Sequence, residues 1–284
     1  MQLSWLTTRQ NAVLLQGLDC NVRIVAWEDR ELLYRDQYDL VINLEDTIDV
    51  AMALRNLSSG QWFGAYARND RLCYTDDSHG WFDMSLISSY GREEADRLKL
   101  RNRRSYQELV FEGLGFSFRG EEYLLPAPVD TGFVGDVAVA AEAGPVWPMK
   151  KWAHYGQLKQ RLEEQGLIVN VLPRRGSLLE HLGDIYGHKC LVGGDTLPMH
   201  LALGAGKHSV TLFNCTSPWE IYDYGLQIKL VSPLLEQFFY SRAYDVRATT
   251  AITLEEVVET VTTTVRKSRQ KQLVAQGVSD EQLL

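Results

Sequence analysis

Residues 190–225, CLVGGDTLPMHLALGAGKHSVTLFNCTSPWEIYDYG, contain a complete strand–turn–helix–strand unit, and their reading sets the fold. Residues 188–193 are apolar enough for a buried strand of a parallel sheet. Gly193 and Gly194 permit a tight turn at its end, and Asp195 or Thr196 caps the helix that follows. Pro198 falls in the first helical turn, where a missing N–H costs nothing. A helix N-terminus reached from a strand through small residues offers free backbone N–H groups and about half a positive charge, so its natural guest is a phosphate. His200 reaches the same space as an extra donor. Set among Met199, Leu201, Ala202 and Leu203, it reads equally as a core histidine.

Outward from this unit, α/β alternation continues in both directions. Upstream lie a strand at 137–141, a helix at 153–164, a strand at 168–172 and a helix at 177–185. Pro126, Pro128 and the run 130–135, DTGFVG, make the best linker. The expected domains are therefore 1–129 and 130–284. In the first, strands at 3–6, 22–27 and 39–44 alternate with helices at 10–16 and 47–57. A strand pair follows at 62–74, turning at Asn69-Asp70. Helix is expected to dominate from 93 to 113, stopped by Gly113 and Gly115. The tail from Thr253 places Leu254, Val257, Val258, Val261 and Val265 at helical spacing and then turns polar, which predicts one helix with a frayed end.

Composition narrows the function. With 284 residues, 45% hydrophobic and 23% charged, the chain is an ordinary globular protein. No run approaches a membrane span and the first ten residues lack a signal-peptide layout, so a cytoplasmic address is expected, with peripheral membrane contact left open. The net charge of −8 argues against nucleic acid as a partner. The basic run at 92–104, REEADRLKLRNRR, reads as a solvated helix face laced with opposite charges, or else as a contact for an anionic acceptor. Cys20, Cys73, Cys190 and Cys215 show no metal-ligand spacing and read as buried thiols, without disulfide or metal. A nicotinamide-type Rossmann site would need G-x-G-x-x-G after a first strand, and none is present.

Three motifs point further: DTLPMHLA at 195–202 followed by a strand and Thr216-Ser217-Pro218, WPMKKW at 147–152, and YDLVINL at 38–44. Together they resemble glycosyltransferase family 9, the ADP-heptose:lipopolysaccharide heptosyltransferases. The resemblance implies a GT-B-like α/β fold, two Rossmann-like domains facing a cleft, and transfer of a sugar, a heptose or a relative, from a nucleoside-diphosphate donor to a glycan or protein acceptor. It implies a nucleotide-sugar set of Lys150, Asp195, Thr196, Met199, His200 and Glu220, with no cofactor and no metal. Leu197 stands where the family often has Gly, and its side chain would crowd a diphosphate.

Family members open with a strand and a Gly-Asp loop whose Asp is the proposed general base. Residues 1–6 look like the family's second strand, so the N-terminal domain reads as incomplete, by about twenty to thirty residues, the length of one βα unit. Without that Asp, a base must come from elsewhere. His79 and Asp83, flanking Trp81 in a mixed polar and aromatic loop, are the only clustered candidates. The expectation is slow transfer or none, and the alternative is a catalytically impaired sugar-nucleotide-binding or assembly protein.

Overall fold

In a computed structural model, which describes residues 2–85 and 87–275, the chain sorts into two units. The first takes residues up to 12, 19–121 and 219–222, and the second takes 13–18, 122–218 and 223 onward. The division thus falls at 121/122, with residues 122–129 on the far side of it. Leu125 and Tyr123 explain why: both lie against Gly204 of the second unit.

In the first unit, β1 (Leu3–Thr7), α1 (Arg9–Ala12) and β2 (Val22–Ala26) make a parallel pair. A separate sheet holds β3 (Gln37–Asn43), α2 (Ile48–Leu54), β4 (Ser58–Arg68) and β5 (Arg71–Tyr74), with β3 parallel and β5 antiparallel to β4. Asn69 and Asp70 turn the β4–β5 hairpin in the left-handed region, at φ 49° and 56°, as expected of that dipeptide. A short helix α3 (His79–Phe82) leads to α4 (Arg92–Arg101) and α5 (Tyr106–Gly113). Helix dominates 93–113 as expected, divided into two. Ser105 accepts from the Glu108 N–H while the Glu108 side chain takes the Ser105 N–H, a capping box that starts a new helix.

The second unit is a five-stranded parallel sheet in the order β10-β9-β8-β6-β7. Its elements are β6 (Gly135–Ala140), α6 (Tyr155–Glu163), β7 (Val169–Val171), α7 (Leu178–Tyr186), β8 (His188–Gly194), α8 (Leu197–Gly204), β9 (His208–Phe213), β10 (Gln227–Val231), α9 (Leu235–Phe238), α10 (Val246–Thr250) and α11 (Leu254–Ala275). One apolar cluster joins Val137, Val139, Val192 and Val210 of the sheet to Leu158 and Leu162 of α6 and to Val257, Val261 and Val265 of α11. The expected C-terminal helix is α11; the frayed end lies outside the described residues. All four cysteines are free, Cys190 and Cys215 buried, but Cys20 is exposed and Cys73 only half-buried. Cys20 sits before β2 rather than inside it, which is why the expected burial fails there.

β8 ends on a glycine for a steric reason. A Cβ at Gly194 would stand 2.8 Å from the carbonyl oxygen of Lys150. Gly194→Ala should therefore cost about 1–3 kcal/mol, as overpacking does. Urea unfolding measures it, and an unchanged midpoint would show that the turn gives way freely.

At the other, amino end of β8, His188 is buried and neutral. Asn170 Nδ2 donates to the Val134 carbonyl at 2.9 Å and lies 3.0 Å from His188 Nε2, which must therefore accept. His188 Nδ1 then donates to the Asp184 carbonyl at 2.6 Å. Burial holds its pKa below the ordinary 6.5. The unfolded chain gains a proton near that pH that the folded chain refuses, so this contribution to stability is whole above 6.5 and is lost as pH falls through the folded pKa. A ring-proton titration should find His188 below 6.5; titration at or above 6.5 would contradict the assigned bonding.

Candidate functional site

The order β10-β9-β8-β6-β7 reverses direction at β6, since β7 lies on one side of it and β8 on the other. Such a switch point, at the carboxyl ends of the strands, is where open α/β sheets bind ligands. Two loops leave there, one after Ala140 and one after Gly194, and each delivers a candidate residue.

After β6 the chain reaches a 3-10 turn at Pro148–Lys150. Met149 is fully buried with Cys215, Phe238 and Ala248. Trp152, 1% exposed, sits in the main core and its indole N–H donates to the Ile252 carbonyl at 2.9 Å. Anchored on both sides, the turn aims Lys150 at the start of α8. Its Nζ lies 2.9 Å from Asp195 Oδ2 and donates to the Asp195 carbonyl at 2.8 Å. Lys151 only makes a surface pair with Glu142.

Thr196 is the N-cap residue of α8, and its hydroxyl makes no capping bond. Asp195 does not cap, because its carboxylate is taken by Lys150. Met199 is fully buried and its N–H bonds the Thr196 carbonyl, so it offers a ligand nothing free. Leu197, where a crowding side chain was expected, is exposed. His200 Nδ1 lies 3.0 Å from the Tyr123 hydroxyl. With Tyr123 donating, the imidazole carries its proton on Nε2. Burial holds the ring below its ordinary pKa, with Asp195 opposing and Lys150 reinforcing. Its partner lies 77 positions away in the chain, and the sequence carries no signal for it.

The loop after β9 closes the site. Asn214 Nδ2 donates to the Met149 carbonyl at 3.0 Å and so braces the Lys150 turn. The Cys215 thiol, pushed up to about 11 by burial, feels both charges of the Lys150–Asp195 pair. Asn214 Oδ1, Thr216 Oγ1 and Ser217 Oγ are buried without a hydrogen-bond partner among the described residues. The Thr-Ser-Pro motif marked this loop, but not the role of Asn214.

Glu220 groups with the first unit, where its carboxylate lies 3.8 Å from Lys99 Nζ. The basic run is mostly engaged there: Arg92 with Asp96, Arg97 with Glu94, Arg104 with Glu112, and Arg103 stacked 3.7 Å over the Trp219 ring. That is the opposite-charge lacing expected of a solvated face. His79 and Asp83, also in the first unit, are brought together, with Nδ1 2.9 Å from Oδ1. The described residues contain no group of three or more His, Cys, Asp or Glu able to hold a metal ion, and no helix long and apolar enough to cross a membrane.

No family model and no curated protein matches the sequence. Solved structures match in shape. E. coli heptosyltransferase WaaC with ADP aligns over 93% of this chain and 90% of its own, with a TM-score of 0.58 at 15% identity. E. coli ADP-heptose lps heptosyltransferase II gives 0.60 at 12% identity over 94% and 90%. A family 9 glycosyltransferase from Veillonella parvula DSM 2008 gives 0.64 at 12% identity over 94% and 88%. The chain has the α/β, GT-B-like fold of the family 9 heptosyltransferases, as the sequence resemblance implied.

Proposed function

We propose that this chain is a glycosyltransferase that moves a sugar of heptose type from a nucleoside-diphosphate donor to a glycan or protein acceptor. The observation that carries the reading is the delivery of Lys150 to the first turn of α8 at the switch point of the sheet. When the bond from sugar carbon to phosphate oxygen breaks, negative charge builds on the departing diphosphate. Charge-assisted donors aimed at that charge lower the barrier. Lys150 Nζ, the Leu197 N–H that opens α8 and His200 Nε2–H are three such donors; the Thr196 hydroxyl donates to the Gly194 carbonyl at 3.4 Å, a long bond that a phosphate would replace. Asp195 holds Lys150 in place, and a diphosphate would share the ammonium with it. Support for the choice of nucleotide comes from WaaC, whose structure is of the protein with ADP.

Calorimetry with ADP tests the reading. The wild-type chain should bind, and Lys150→Ala should weaken binding by about 1–3 kcal/mol, because a charged donor is lost and Asp195 is left facing the phosphate unpaired. Lys151→Ala, one residue along, should bind as the wild type does. No binding at millimolar ADP, or equal binding by Lys150→Ala, would overturn the site. Binding without any release of ADP from ADP-heptose would favour the sugar-nucleotide-binding alternative.

A further inference from the structure

A neutral imidazole has one N–H to offer a diphosphate, and we infer that Tyr123 decides which nitrogen of His200 carries it. Its hydroxyl occupies Nδ1 and keeps the proton on Nε2, which makes Tyr123 a positioning residue of the diphosphate site. The inference deepens the nucleotide reading and rests on it.

The packing of α8 sets the geometry, and every residue concerned belongs to the second unit. Gly204 follows His200 by four residues, so the two stand on one face of the helix, about 6 Å apart along its axis. A Cβ added at Gly204 would lie 2.9 Å from the Tyr123 Cβ and 2.7 Å from Leu125 Cδ1. Tyr123 therefore starts against Gly204 and reaches back one turn, the length of a tyrosyl side chain, to bring its hydroxyl 3.0 Å from His200 Nδ1. The two rings meet edge to face, with centroids 6.1 Å apart. Tyr224 packs against the Tyr123 ring as well, at 5.5 Å. A tight turn presents it: Tyr224 and Gly225 both lie in the left-handed region, at φ 53° and 68°. The Gly225 N–H donates to the Asp223 carboxylate and the Leu226 N–H to the Asp223 carbonyl, each at 2.8 Å. Left-handed backbone is unfavourable for a tyrosine, so this turn is held by its bonds and packing.

The chemistry follows from the one bond. A neutral imidazole has two tautomers, and the bond made by one nitrogen fixes the proton on the other. With the phenol donating, Nδ1 accepts and Nε2 keeps its hydrogen. The opposite tautomer would turn a lone pair on Nε2 toward an anion and replace attraction by repulsion. Burial holds the ring below its ordinary pKa of 6.5, and both Lys150 and Asp195 act on it electrostatically. Near neutral pH the tautomer, and not a gained charge, thus sets whether the ring donates. A donor fixed before the ligand arrives also has less freedom to lose on binding.

Heteronuclear NMR of the imidazole nitrogens and calorimetry with ADP test the inference together. In the wild type, the signals that vanish in His200→Ala should show a protonated Nε2 and an unprotonated Nδ1. Tyr123→Phe keeps the ring against Gly204 and Tyr224 and removes only the hydroxyl, so the chain should stay folded with His200 divided between tautomers. ADP binding should then weaken about 2- to 10-fold, as the donating form becomes a fraction of the population. His200→Ala should weaken binding at least as much, and adding Tyr123→Phe to it should change nothing further. A loss of packing alone would not move the tautomer or vanish in that background. Protonated Nδ1 in the wild type, wild-type affinity in Tyr123→Phe, or an undiminished effect in the His200→Ala background would each overturn the inference and leave the Lys150 site standing. A wild type that binds no ADP would overturn the site itself, and this inference with it.

Discussion

Lys150 and Asp195 lie 45 residues apart in the chain, and they meet because β6 and β8 are hydrogen-bonded neighbours whose following loops leave the same edge of the sheet. The contact constrains much of what surrounds it. The turn carrying Lys150 must pass close over the end of β8, which demands glycine at 194. Met149 and Trp152 must be buried on either side to stop the turn from swinging. Asn214 must hold the Met149 carbonyl from the third loop. An ion pair in a half-buried place recovers little net energy of its own, so its value lies in holding an ammonium at a helix N-terminus before any anion arrives. Preorganisation of that kind is the structural meaning of the motifs at 147–152 and 193–200.

Such local devices are why the second unit was legible. Strand, glycines, cap and proline at 190–198 each depend on neighbours in sequence, so the pattern exposes them. β10 was missed for the opposite reason. It is an edge strand whose apolar residues Ile228 and Val231 stay exposed while Gln227 and Lys229 are polar, and it has no hydrophobic period to read. The break between α4 and α5 was readable, since Ser105 and Glu108 stand at capping-box spacing, but the charged residues around them masked it. The partnership of Tyr123 with His200 had no local signature at all.

The first unit shows what a cluster of residue types does and does not disclose. The sequence put His79 and Asp83 in one loop, but the Tyr74 hydroxyl that donates to Asp83 reaches it only because the β4–β5 hairpin ends beside α3. Glu220, chosen from the sequence for a nucleotide pocket, lies 3.8 Å from Lys99, whose helix is more than a hundred residues upstream. Long-range pairings of this kind are set by tertiary packing, which composition and spacing do not encode directly.

The central claim is that one anion site exists where Lys150 meets the first turn of α8. A crystal structure of the chain grown with ADP tests it most directly. The account predicts the terminal phosphate within hydrogen-bond distance, about 2.7–3.2 Å, of Lys150 Nζ and of the Leu197 N–H that opens α8, with His200 Nε2 facing the same group. ADP bound elsewhere, with the Lys150–Asp195 pair undisturbed and the helix N-terminus holding only water, would contradict it.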